Sequence, residues 1–130
     1  MSEHRVASIM CRDIPTLAPD TPIRRAIAIL LDAEASVAPV IGEDGELVGV
    51  LTQKDCFRPA LHASYHQEWT GQVADQMSRE VVSVDVSDDV IRIAEMFLAH
   101  PHRAFPVMEG AKVVGLVRRS DVLSLLLRVG

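Results

Sequence analysis

The chain repeats itself, and the repeat limits what it can fold into. Met10 and Met77 stand 67 positions apart, as do Val6 and Val73, Arg12 and Arg79, Pro39 and Pro106, and Val40 and Val107. Further along the offset falls to 66, pairing Gly49 with Gly115 and Asp55 with Asp121. One residue is therefore missing from a turn of the second copy, where deletions cost least. Matching order, matching spacing and a single gap at a turn mark a duplicated unit. Such a unit holds about 50 residues and is marginal alone. Two related by a pseudo-twofold axis would cover each other's sheets, giving one compact α/β body with two equivalent clefts between the halves.

Each unit reads as strand, helix, hairpin, helix. Val6 to Met10 is a short apolar entry, and Asp13 to Leu17 suggests a short edge strand, since Pro15 cannot donate to a sheet ladder. Thr21 is expected to cap a helix with Pro22 in its first turn. Ile23, Ala26, Ile27, Leu30 and Leu31 then follow helical spacing. Adding 67 gives Val90, Ile93, Ala94, Phe97 and Leu98, so both helices show the same apolar face. Val37 to Ile41 and Glu46 to Leu51 form a hairpin around Gly42-Glu43-Asp44-Gly45, and Ala104 to Met108 with Lys112 to Val117 form its twin. Successive apolar residues in these strands imply burial on both faces. Closing helices begin at Thr52 and Arg118. Between the copies, Phe57, Leu61, Tyr65 and Trp69 fall four apart as on one helical stripe, which Pro59 threatens to break. That stripe is read as core or dimer interface. The resulting boundaries are a first repeat over 1–58, a linker over 59–72 and a second repeat over 73–130.

Composition narrows the function. With 48% hydrophobic residues but only 4% aromatic ones, the core must be mainly aliphatic. A net charge of -5 argues against a nucleic-acid backbone as main partner, because such sites need clustered Lys and Arg. Cys11 and Cys56 form no C-x-x-C, so neither a zinc site nor a disulfide framework is indicated. Cys56 is expected to be packed and unreactive. The start, Met1-Ser2-Glu3-His4-Arg5, reads as no signal peptide, and no stretch approaches the ~20 apolar residues of a membrane helix. A soluble protein of a reducing, cytoplasmic compartment is expected. No Walker or Rossmann glycine loop, G-x-S-x-G or H-E-x-x-H occurs, so an enzyme is not expected.

The paired motifs resemble those of the cystathionine β-synthase (CBS) domain, a module that occurs in tandem as a Bateman module. They are Val-x-x-x-Met at 6–10 and 73–77, Ile14-Pro15-Thr16-Leu17 against Val81-Val82-Ser83-Val84, and Ala38-Pro39-Val40-Ile41 against Phe105-Pro106-Val107-Met108. The last pair is Val48-Gly49-Val50-Leu51-Thr52-x-x-Asp55 against Val114-Gly115-Leu116-Val117-Arg118-x-x-Asp121. The resemblance implies two CBS-type repeats packed with pseudo-twofold symmetry, frequent homodimers and signalling to an effector protein. It also implies regulatory binding of an adenosine-containing ligand, whether AMP, ADP, ATP or S-adenosylmethionine, with no covalent cofactor. In such modules the Asp after the closing strand takes the ribose hydroxyls, and the Ser or Thr three residues earlier reaches phosphate. Carried over, one site combines Thr52 and Asp55 with Val81, Val82, Ser83, Arg103 and Ala104. The other combines Arg118 and Asp121 with Ile14, Pro15, Thr16, Val37 and Ala38. This chain departs from the pattern at Arg118, which stands where a hydroxyl belongs and either draws phosphate in or plugs the site. Ser36 stands opposite Arg103, so the second site lacks that guanidinium.

The residues support this chemistry without excluding plainer roles. A carboxylate accepts two hydrogen bonds and suits a vicinal diol. A helix N-terminus favours negative charge and attracts phosphate, and Arg offers a planar donor fork. Yet Thr52-x-x-Asp55 is also a capping box that serves only its helix. Arg103 reads equally as a solvated charge. His62 and His66 read as polar surface in the absence of a third metal ligand, and His100-Pro101-His102 as a helix terminus. Two other functions stay open. One is a ligand-free dimerisation module acting through Val122, Leu123, Leu126 and Leu127. The other is a divalent-cation sensor using Asp85, Asp88 and Asp89.

Overall fold

The structure is a computed structural model and describes residues 4–129. The outermost positions of the two expected repeats, 1–3 and 130, lie outside the described residues, as does most of the start read for a signal peptide. In chain order the elements are α1 (Ile23–Asp32), β1 (Val37–Ile41), β2 (Leu47–Thr52), α2 (Phe57–His66), α3 (Val73–Gln76), β3 (Val84–Asp85), α4 (Val90–Ala99), β4 (Ala104–Glu109), β5 (Lys112–Arg118) and α5 (Arg119–Val129). Single 3-10 turns stand at Val6–Ser8 and Lys54–Cys56. No helix among the described residues is long and apolar enough to cross a membrane.

These elements divide into two compact units. One is continuous, residues 14–81, and the other joins residues 4–13 to 82–129. In the continuous unit β1 and β2 form the antiparallel hairpin, with Val37 opposite Thr52 and Ala38 opposite Leu51. Leu17 adds a parallel bridge to Val40 on the outer side of β1, and Ser78 adds an antiparallel bridge to Val50 on the outer side of β2. Val50 and Ser78 exchange both backbone hydrogen bonds, at 3.0 and 2.9 Å. In the other unit β4 and β5 repeat the hairpin, β3 lies parallel to β4, and Cys11 bridges Leu116 on the far side of β5. Each sheet is thus completed by the entry segment of the other repeat. Residues 77 and 78, which open the second repeat, sit on the sheet of the first, and residues 10 and 11 sit on the sheet of the second.

The glycines in the paired Val-Gly motifs explain why the backbones approach so closely. A Cβ on Gly49 would lie 2.7 Å from the Ser78 carbonyl oxygen and 2.9 Å from Met77 Sδ. A Cβ on Gly115 would lie 2.6 Å from the Cys11 carbonyl oxygen and 3.3 Å from Met10 Sδ. Only a residue without a side chain fits at either place. The prolines inside β1 and β4 are equally local in origin. Pro39 gives its carbonyl to Leu17, and pairing with the first strand begins at the next residue, Val40, just as β3 pairs from Val107, after Pro106. The missing N–H therefore falls where the ladder has not yet begun.

The cores repeat position by position. Leu17, Ile23, Ala26, Val40 and Leu51 are buried in one unit, and Val84, Val90, Ile93, Val107 and Val117 in the other. Val73 completes the first core and Val6 the second, in keeping with the exchanged entries. Several expectations need correction. The last residue of each helical stripe does not join the core: Leu31 is 57% and Leu98 91% exposed. At i+8 a 3.6-residue helix has turned past its buried face. Thr21 does not cap α1. Pro22 occupies that position without a side-chain bond, and the Thr21 hydroxyl instead accepts the Ala18 amide. The equivalent Asp89 does cap α4, accepting the Ile91 amide at 2.9 Å. Pro59 does not break α2 but lies buried in its first turn, where a missing N–H costs nothing. The edge strand expected over 13–17 shrinks to the single bridge at Leu17.

Candidate functional site

Both return strands end in the same corner. β2 ends at Thr52, and a 3-10 turn containing Asp55 leads into α2. Asp55 Oδ2 accepts the Thr52 amide at 3.0 Å, and Thr52 Oγ1 accepts the Asp55 amide at 3.1 Å. The capping box read from the sequence is therefore present and reciprocal. It occupies one carboxylate oxygen. Among the described residues nothing donates to Asp55 Oδ1.

The second corner is built alike and closed differently. β5 ends at Arg118, and α5 begins at once with Asp121 in its first turn. Asp121 Oδ2 accepts the Arg118 amide at 2.9 Å, the counterpart of the Thr52 bond. Arg118 then folds its guanidinium back onto the same carboxylate, with Nε on Oδ2 at 3.0 Å and Nη2 on Oδ1 at 2.8 Å. The hydrogen bonds from Arg118 to Asp121 raise the guanidinium pKa above its ordinary value; desolvation opposes them, and the Asp121 charge adds a lesser upward push. The Arg118 side chain is 54% exposed and that of Asp121 13%.

The remaining candidates divide between the units. Thr52 and Asp55 share the continuous unit with Ile14, Pro15, Thr16, Val37, Ala38 and Val81; Val37 lies directly opposite Thr52. Arg118 and Asp121 share theirs with Val82, Ser83, Arg103 and Ala104; Ala104 lies opposite Arg118. Val37, Ala38 and Ala104 are buried in their strands, Ile14, Pro15, Val81 and Val82 are half-buried, and Thr16, Ser83 and Arg103 are exposed. The Arg103 carbonyl accepts the Arg119 amide at 3.1 Å, and the Ser36 carbonyl accepts the Gln53 amide at 2.9 Å, so the strand entries steer both corners alike. Among the described residues the Arg103 guanidinium has no hydrogen bond or ion pair, which leaves it available to an anion.

The surroundings were less legible. An open groove of about 1030 Å³ runs along α2, lined by Asp55, Lys54, Phe57, Arg58, Leu61, His62, Tyr65, His66 and Gln76. Phe57, Leu61 and Tyr65 are each more than half exposed and so are not core. Trp69 lies beyond the end of α2, where Gln67 takes a left-handed conformation, and packs near the Arg24 guanidinium. Cys56 is buried, and its thiol is pushed up to about 11, first by burial and then by the Asp55 charge. The His62 and His66 rings lie 4.4 Å apart, tilted by 39°, and among the described residues no three His, Cys, Asp or Glu side chains could hold a metal ion. The Asp85 carboxylate accepts the Ser87 amide, and that of Asp88 accepts the Asp85 amide, so both support a turn. Val122, expected on a dimer surface, is instead core at 2% exposure, while Leu123 and Leu127 of α5 are exposed.

Comparison with known proteins places this architecture. The family model of the CBS domain matches residues 6–61 and again 71–128, and the chain belongs to the CBS domain family as a tandem pair. The crystal structure of CBSX2 in complex with AMP is similar over 97% of this chain and 98% of that one, with a TM-score of 0.83 and 23% identity. The CBS domain pair of protein MJ0100, solved with 5'-methylthioadenosine and S-adenosyl-L-methionine, is similar over 98% of both chains, with a TM-score of 0.81 and 23% identity. In sequence the chain is 25% identical to the uncharacterized YlbB of Bacillus subtilis over 91% of its own length and 79% of that protein's. It is 24% identical to the uncharacterized MJ1225 of Methanocaldococcus jannaschii over 93% of its length, and spans only 42% of that relative.

Proposed function

We propose that this CBS pair is a regulatory module that binds an adenosine-containing ligand at the Asp55 and Asp121 corners and passes its occupancy to an effector protein. The observation that carries the reading is the doubled corner: a strand end, a helix start, and a carboxylate three residues on that holds the strand-end amide. Such a carboxylate is fixed in place before any ligand arrives, so a ribose diol binds it without an ordering cost. Exposed Arg103 and the exposed guanidinium of Arg118 add donors suited to phosphate. The structural relatives crystallised with AMP and with S-adenosyl-L-methionine lend the ligand class support. A ligand shifts such a module only through its differential affinity for two states. Action in the cytoplasm as a homodimer belongs to the same proposal. Calorimetry and thermal melting with AMP, ADP, ATP and S-adenosylmethionine test it: heat and a raised melting temperature are expected with at least one, and silence from all four at millimolar concentration rejects it.

A ligand-free dimerisation module is the second reading, favoured by Leu123 and Leu127, which are 66% and 86% exposed on α5. Calorimetric silence from all four ligands, together with sedimentation at micromolar concentration with and without L127E, separates it, since a homodimer alone fits both readings. On this reading the wild type sediments as a dimer and the variant does not.

A further inference from the structure

The two corners differ in a way that selects between ligands. A carboxylate offers roughly four lone-pair sites, and a vicinal diol needs two of them. Asp55 spends one, on the Thr52 amide. Asp121 spends three, on the Arg118 amide, Nε and Nη2. A ribose therefore meets an open acceptor at Asp55, and at Asp121 one with a single site left, one short of what the diol needs. We infer that Arg118 is a specificity-determining latch: it covers Asp121 until a ligand brings an anionic group that draws the guanidinium away, so the second corner prefers nucleotides bearing phosphate to uncharged adenosyl compounds. This rests on the proposed function and adds to it.

The energetics fit a latch and exclude a lock. An ion pair whose Arg118 partner is 54% exposed contributes little, so releasing Arg118 weakens a ligand by about fivefold. A phosphate recovers that through the planar fork of Arg118. Adenosine, which has no anion, does not. The first corner has Thr52 at the equivalent position and carries no such penalty.

Calorimetric titration of AMP and adenosine into wild type, R118T, D55A and D55A/R118T tests the latch. The D55A background isolates the second corner, and the Asp55-intact pair keeps the test valid if D55A fails to fold. In D55A, AMP is expected to bind at least about tenfold tighter than adenosine, the scale of hydrogen bonds to a charged group. Adding R118T should tighten adenosine by up to about fivefold and weaken AMP, so that the preference collapses. With Asp55 intact, R118T should tighten the weaker of the two adenosine sites by up to about fivefold. An AMP-to-adenosine ratio that R118T leaves unchanged overturns the latch and spares the proposed function. No binding of either ligand to any of the four proteins overturns the latch, and the proposed function falls with it only if ADP, ATP and S-adenosylmethionine are silent as well.

Discussion

Asp55 and Cys56 are neighbours with opposite demands on solvent. Asp55 must stay charged and reachable. Its loss removes a charged acceptor, so D55A should weaken adenosyl binding by about 1.5–3 kcal/mol, measured as a dissociation constant. An unchanged constant would mean that the carboxylate serves only the capping box. Cys56 lies buried against the same corner, and its thiol pKa rises from the ordinary 9.0 to about 11. Between those values the unfolded chain has released its proton and the folded one has not. The unfolded state then binds fewer protons, and stability falls as pH rises. The loss should reach on the order of 2 kcal/mol by pH 11. Urea midpoints at pH 8 to 11 should therefore fall more steeply for wild type than for C56A. The packed, unreactive Cys56 expected from sequence agrees with its burial. What no sequence pattern revealed is how Arg118 disposes of its charge, because a side chain with four rotatable bonds is placed by its neighbours and not by its position in a motif.

At the scale of the element, the hairpins were the most legible part of the chain, and the reason is physical. Continuous apolar runs on both sides of a glycine turn leave few alternatives, and β1 runs from Val37 to Ile41 as read. The helix starts were less legible. Thr21-Pro22 and Asp88-Asp89 occupy equivalent positions, but only Asp89 accepts an amide of its own helix. D89A should thus cost about 0.5–2 kcal/mol, whereas T21A should stay near the small effects of a surface change, both read from thermal unfolding. The glycines of the return strands had a visible spacing but no visible purpose until the entry segments were in place. G49A and G115A force a Cβ to within 2.7 and 2.6 Å of a carbonyl oxygen belonging to backbone, which has little room to yield. Each should destabilise by about 1–3 kcal/mol through overpacking, seen as a lowered urea midpoint. At Gly45, where φ is +85° and nothing lies within 4 Å, strain and not crowding is the cost. An Asn there should be tolerated, since it accepts the left-handed region.

For the whole molecule, the decisive fact is one the repeat conceals. Self-similarity says that residues 6–10 and 73–77 are equivalent, but it cannot say on which sheet each will lie, because both sheets offer the same glycine-lined edge. The structure lays residues 4–13 against 82–129. Val6 donates its amide to Asp88, Val90 donates to His4, and Cys11 exchanges two hydrogen bonds with Leu116. Val6 is also fully buried. The unit of residues 14–81 needs no such help from a distant segment, since residues 73–78 already lie within it. Removal of residues 1–11 should therefore unfold one unit selectively. It deletes the buried Val6 side chain, worth about 1.5–3 kcal/mol, strips the outer partner from β5 and leaves Gly115 facing solvent. Hydrogen exchange should show protection lost at Val107, Leu116 and Val117 while Val40, Val50 and Leu51 keep theirs. Uniform loss across both sheets would mean that the units fold as one, and unchanged protection would mean that the entry segment contributes nothing to its sheet. Cutting the chain after residue 58 asks the converse. That fragment keeps residues 14–58 but loses Val73, Met77 and the Ser78 bridge, so it should melt without cooperativity where residues 14–81 melt in a single transition.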